Sequence, residues 1–187
     1  MGKKARGAFF TVPNLLSLFR LGLIGVFVQV YVVRNQPVWG CSVLIISGVT
    51  DILDGYIARS CNMVSDVGKI LDPVADKLTQ LATLVCLAQN FPVMLLPLGI
   101  MLIKELIGAL LFFMAIKRSG QIQSSHWHGK LNTVLLYAML MLHLLWRNIP
   151  PLFSALSVGL SIGMMLFSAA LYAAGNLNML KGRKNMP

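Results

Sequence analysis

The chain has 187 residues, 57% of them hydrophobic and only 12% charged, and its mean hydropathy is +0.75. A soluble domain carries about a quarter charged residues, so composition excludes an ordinary water-soluble fold and predicts a membrane-embedded, all-α helix bundle. The formal charge of +10 does not argue for nucleic acid, because the cations cluster at the ends of apolar stretches, where cytoplasmic loops and anionic lipid headgroups collect them, and no nucleic-acid-reading module is present.

In chain order, residues 1–11 form a basic juxtamembrane segment. The apolar run behind them is long enough to span, which argues against a cleaved signal peptide. Arg6 stands where a myristoylation motif requires Ser or Thr. Six transmembrane helices are expected, at 12–33, 39–59, 69–89, 92–116, 131–147 and 150–174. Pro13 suits an early helical position because its φ is already fixed. Arg34 to Pro37 separate the first two spans, "QNFP" (89–92) the third from the fourth, and "KRSGQIQSSHWHGK" (117–130) the fourth from the fifth. "RNIPP" (147–151) parts the last two, and residues 176–187 form a polar tail.

If the N-terminus is cytoplasmic, Lys3, Lys4, Arg6, Arg59, Lys69, Lys117, Arg118, Lys130, Lys181, Arg183 and Lys184 fall inside, against Arg34 and Arg147 outside. The positive-inside rule therefore predicts both termini in the cytoplasm, with 1–187 as a single domain of the cell membrane. Cys41, Cys61 and Cys86 lack a CxxC spacing and read as packing residues. In "HWH" (126–128) the two histidines do not share a helical face, so the motif is not read as a metal site.

Five of the six acidic residues fall between Thr50 and Lys77; the sixth is Glu105. Asp51 and Asp54 are spaced i, i+3, and Asp72 and Asp76 i, i+4, so each pair shares one helical face. Gly55, Ala58 and Gly68 offer close approach beside them, and Arg59 ends the second helix. Four converging carboxylates repel unless cations intervene. Oxygen-only donors select hard ions, Mg²⁺ or Mn²⁺, and two such ions about 4 Å apart clamp a phosphate undergoing displacement. A structural acid network, or the ion pathway of a Mg²⁺-linked transporter, is the competing reading. The paired broken helices expected of a transporter are missing from the sequence. Asp66, near a helix start, reads as a cap. Pro73 places the third helix start either near Asp72 or earlier with a bend.

The pattern Asp51-x2-Asp54-Gly55-x2-Ala58-Arg59-x8-Gly68-x3-Asp72-x3-Asp76 resembles the signature of the CDP-alcohol phosphatidyltransferases at every fixed position. "VPNLLSLFR" (12–20) and "GKLNT" (129–133) are similar to segments of the glycerophosphate and cardiolipin branches. The resemblance implies transfer of a phosphatidyl group from a CDP-alcohol to an acceptor hydroxyl with release of CMP. It implies that Asp51, Asp54, Asp72 and Asp76 hold two divalent ions and that Asp76 is the general base. Asn14, Ser17, Asp54, Gly55, Ala58, Arg59, Gly68 and Asp72 would surround the CDP-lipid. The expected substrates are CDP-diacylglycerol and sn-glycerol 3-phosphate, with phosphatidylglycerol as the rival acceptor. Lys104, Arg118 and Lys130 are the candidate ligands of an acceptor phosphate, with Glu105 a competing partner for Lys104. Members of the family are commonly homodimers.

Overall fold

The computed structural model describes residues 12–60, 68–119 and 127–182; Cys61, Asp66, residues 1–11 and residues 183–187 lie outside them. Among the described residues there are six α-helices and no strand: α1 Val12–Val28, α2 Pro37–Ser60, α3 Gly68–Ala88, α4 Leu95–Ser119, α5 Trp127–Leu145 and α6 Pro151–Gly182. The expected polar tail continues α6 as helix as far as Gly182. Among the described residues three stretches are, by length and composition, long and apolar enough to cross a membrane: Asn14–Val33, Pro92–Leu110 and Pro151–Ala174. Pro37–Leu53 and Gly129–Leu145 are shorter apolar helices. Asp72, Asp76 and Lys77 interrupt the apolar run of α3.

The end of α1 explains how the chain reverses. A π-helical turn, Gln29–Val33, widens the last loop. The Arg34 N–H donates to the Gln29 carbonyl at 3.0 Å and the Gln36 N–H to the Val30 carbonyl at 3.1 Å. These bonds cap orphan carbonyls, and they require Asn35 to adopt φ 53°, which asparagine tolerates better than most side chains. Pro37 then opens α2.

At α3 the structure decides between the two starts that the sequence left open. The helix begins at Gly68 and carries Pro73 inside it. Proline offers no N–H to the Lys69 carbonyl four residues back, yet the helix continues. Asp72 and Asp76 therefore sit one turn apart on the same helix.

The chain divides into two compact units, one of residues up to Asn90 with Leu144–Arg147, the other Phe91–His143 with Asn148 onward. In the first, α1 packs against both α2 and α3. The far end of that packing is apolar. Phe27 and Tyr31 stack with ring centroids 5.7 Å apart, and a Cβ on Gly40 would stand 3.4 Å from the Phe27 ring. Asn90 Nδ2 donates to Tyr31 Oη at 3.0 Å. The end of α1 thus meets the start of α2 and the chain just beyond α3, so α1 runs antiparallel to α2 and parallel to α3.

In the second unit, α4 packs along α6. The Ser161 hydroxyl of α6 donates to the Leu135 carbonyl of α5 at 3.3 Å. Tyr172 comes so near α5 that a Cβ on Gly129 would stand 3.2 Å from its hydroxyl.

Candidate active site

The N-terminal half of α1 presents Asn14, Ser17 and Arg20 at successive steps of three, and all three are buried. A helical period of 3.6 places such residues along one face. Because α1 packs against both acidic helices, that face meets both of them. The Arg20 guanidinium forms an ion pair with the Asp51 carboxylate of α2. The Ser17 hydroxyl donates to Asp72 Oδ1 of α3. The structure thus brings Asn14, Ser17, Asp51 and Asp72 to one end of the first unit.

Charge and burial are distributed unevenly here. Arg20 is 1% exposed, whereas the side chain of Asp51 is 49% exposed. A buried guanidinium must be compensated within the protein, while a half-exposed carboxylate can still reach a cation or ligand arriving from outside. Asp72 and Asp76 are likewise partly exposed. Behind them α3 turns fully inward at Thr79, Gln80 and Thr83. Gln80 Nε2 donates to Asp76 Oδ2 at 3.0 Å. On α2, Thr50 is buried and donates to the Ser47 carbonyl at 3.0 Å. Ser47 is buried and lines a small, mostly apolar cavity with Leu23, Phe27, Leu44, Thr79 and Thr83.

Gly68 opens α3 and is buried. Asp54, Gly55, Ala58 and Arg59 occupy the last turns of α2, and their side chains lie outside the described ones. In the second unit, Lys104 pairs with Glu105 at 3.1 Å, the competing partner that the sequence offered. Lys130 is exposed on the first turn of α5. Arg118 belongs to the last turn of α4, with its side chain outside the described ones.

The donor set is of the kind that takes Mg²⁺ or Mn²⁺, carboxylate oxygen without thiolate or imidazole. Among the described residues, no three acidic, Cys or His side chains are gathered around one point. Asp51, Asp72 and Asp76 are held by Arg20, Ser17 and Gln80 respectively, and the fourth carboxylate, Asp54, lies outside the described side chains.

Two residues of the site escaped the sequence reading. Arg20 had a usable signal, a cation inside an apolar span three residues beyond Ser17. Gln80 had a weaker one, an amide one turn beyond Asp76 on the same face.

A family model described as CDP-alcohol phosphatidyltransferase matches residues 10–174 and so runs through both units. The chain is 36% identical over 145 residues to the CDP-diacylglycerol–glycerol-3-phosphate 3-phosphatidyltransferase of Pectobacterium atrosepticum, covering 74% of this chain and 78% of that one. It is 34% identical over 143 residues to the protein of the same name from Escherichia coli, with the same coverage. Over a shorter stretch of 68 residues it is 48% identical to a Mycobacterium tuberculosis protein named "Putative cardiolipin synthase". That stretch spans 36% of this chain and 32% of the mycobacterial protein.

Proposed function

This chain belongs to the CDP-alcohol phosphatidyltransferase family, and on that footing we propose that it moves a phosphatidyl group from CDP-diacylglycerol to sn-glycerol 3-phosphate. The observation that carries the reading is the double engagement of α1, Arg20 to Asp51 and Ser17 to Asp72. It holds one carboxylate from each acidic helix on a single helix face, inside the stretch that the family model matches. The two relatives that match over 78% of their own length carry the name of this activity.

In this reading the acceptor oxygen attacks the phosphatidyl phosphorus, the bond from that phosphorus to CMP breaks, and CMP leaves with the electron pair. Asp76 takes the hydroxyl proton, work that needs a carboxylate within hydrogen-bond reach. Asp51, Asp54, Asp72 and Asp76 are the residues that would hold two Mg²⁺ or Mn²⁺ ions, which when bound offset charge on the diphosphate. Arg20, and Arg59 at the end of α2, add fixed positive charge where negative charge builds up. Asn14, Ser17, Gly55, Ala58 and Gly68 surround the CDP-lipid. Lys130 and Arg118 bind the acceptor phosphate, and Lys104 joins them once Glu105 releases it. The fold reading that accompanies this has six crossings, both termini in the cytoplasm, the site at the cytoplasmic face of the cell membrane, and a homodimer.

The test uses purified protein, radiolabelled CDP-diacylglycerol and each acceptor in turn. CMP release with sn-glycerol 3-phosphate is expected, lost with EDTA and restored by Mg²⁺ or Mn²⁺. The 48% identity to the mycobacterial protein over 68 residues keeps one second reading, cardiolipin synthesis with phosphatidylglycerol as acceptor. Release with phosphatidylglycerol alone would transfer the assignment to it.

A further inference from the structure

Gln80 lies one turn beyond Asp76 in α3 and is 1% exposed. A buried primary amide costs free energy unless its donors and acceptor find partners. Its neighbours on the same face solve that problem locally. Thr79 donates to the Ala75 carbonyl at 2.9 Å and Thr83 to the Thr79 carbonyl at 2.8 Å, the usual back-bond of a helical hydroxyl. Gln80 does something different. Its Nε2 reaches back along the helix to Asp76 Oδ2 at 3.0 Å, a charge-assisted bond to an acidic side chain rather than to the backbone.

We propose that Gln80 is a positioning residue for Asp76, its amide fixing the carboxylate rotamer by holding Oδ2 so that Oδ1 is presented to the acceptor hydroxyl. The inference rests on the reading of Asp76 as the proton acceptor. The amide is one fixed donor on one carboxylate oxygen, and a reacting oxygen displaced by about 1 Å costs on the order of a hundredfold in rate. Gln80 touches neither substrate nor ion in this arrangement; it acts through Asp76.

The test compares full-length Gln80→Met, Gln80→Glu and Gln80→His with the wild type in lipid nanodiscs at saturating Mg²⁺. Met keeps the length and bulk without a donor, Glu keeps the shape without the Nε2 donor, and His restores a ring N–H. The Met and Glu variants should lower kcat about ten- to a hundredfold, the range for residues that orient a functional side chain. KM and the equilibrium binding of CDP-diacylglycerol should stay unchanged, as should the melting temperature of the Met variant. His should recover part of the loss. A Met variant with wild-type kcat would overturn the inference. So would a loss of rate that only follows a loss of folded protein, or a change confined to KM. Asp76→Asn, assayed alongside, separates the two levels. If it is inactive while Gln80→Met is unimpaired, the positioning role fails alone; if Asp76→Asn turns over normally, the base assignment fails beneath it.

Discussion

In the first unit, Ser17, Arg20 and Gln80 are buried, and each directs a donor at a carboxylate. In the second, His143 is equally buried, yet its Nδ1–H donates to the Met139 carbonyl and its Nε2 accepts from the Ser154 hydroxyl, both at 2.9 Å. Phe91 closes over that imidazole edge-on, with ring centroids 5.1 Å apart. Both units solve the same problem, polar groups inside apolar helices, and they solve it differently. The histidine's needs are met by neutral groups of its own unit, which gives rigidity and nothing for a ligand to do. The first unit's buried donors end on carboxylates that are themselves partly exposed, so the network is open at one end. A polar network open to a ligand is where chemistry is expected.

The contrast can be broken most sharply at Asp76. Asp76→Asn should lower CMP release about 10²- to 10⁴-fold, the usual worth of a general base. Near-normal turnover would remove the distinction between the units. Arg20→Gln comes next, with a loss of about 10²-fold in kcat if the guanidinium stabilises developing charge. Its thermal melt should also fall, because Arg20 is among the largest fully buried side chains and Gln leaves part of that volume empty; a lowered melt with normal specific activity in the protein that stays folded would make Arg20 a structural residue instead. Ser154→Ala probes the second unit. It leaves His143 Nε2 buried without its donor, which should cost about 1–3 kcal/mol of stability while the specific activity of the folded protein holds. A large fall in turnover there would place His143 in the chemistry. The smallest effect is expected for Ser17→Ala, which removes one hydroxyl from Asp72: about 1–2 kcal/mol of lost interaction, read as weaker binding of CDP-diacylglycerol in an equilibrium assay.

The acidic signature was legible because it is local. Spacings of i, i+3 and i, i+4 fix which carboxylates share a helix face, whatever the rest of the chain does. The helix breaks were legible for the same reason, since Asn35, Pro37 and Pro92 act on their immediate neighbours. Pro73 was not, because a proline can either open a helix or sit inside one, and only the turn from Gly68 decides which. Among the described residues three of the six expected spans meet the length and composition of a crossing helix; α3 does not, because Asp72, Asp76 and Lys77 lie within one 18-residue stretch of it.

Sequence alone therefore determined the class of protein, the helical phase of its acidic residues and the family to which they belong. The tertiary structure decided which partner each carboxylate received: Arg20 for Asp51, Ser17 for Asp72. Those pairings depend on the register at which α1 lies against α2 and α3, fixed in part where the stacked Phe27 and Tyr31 rings pack against Gly40. A helical period is a property of one segment, whereas register is set by how side chains of different segments fit, and no short stretch of sequence contains it.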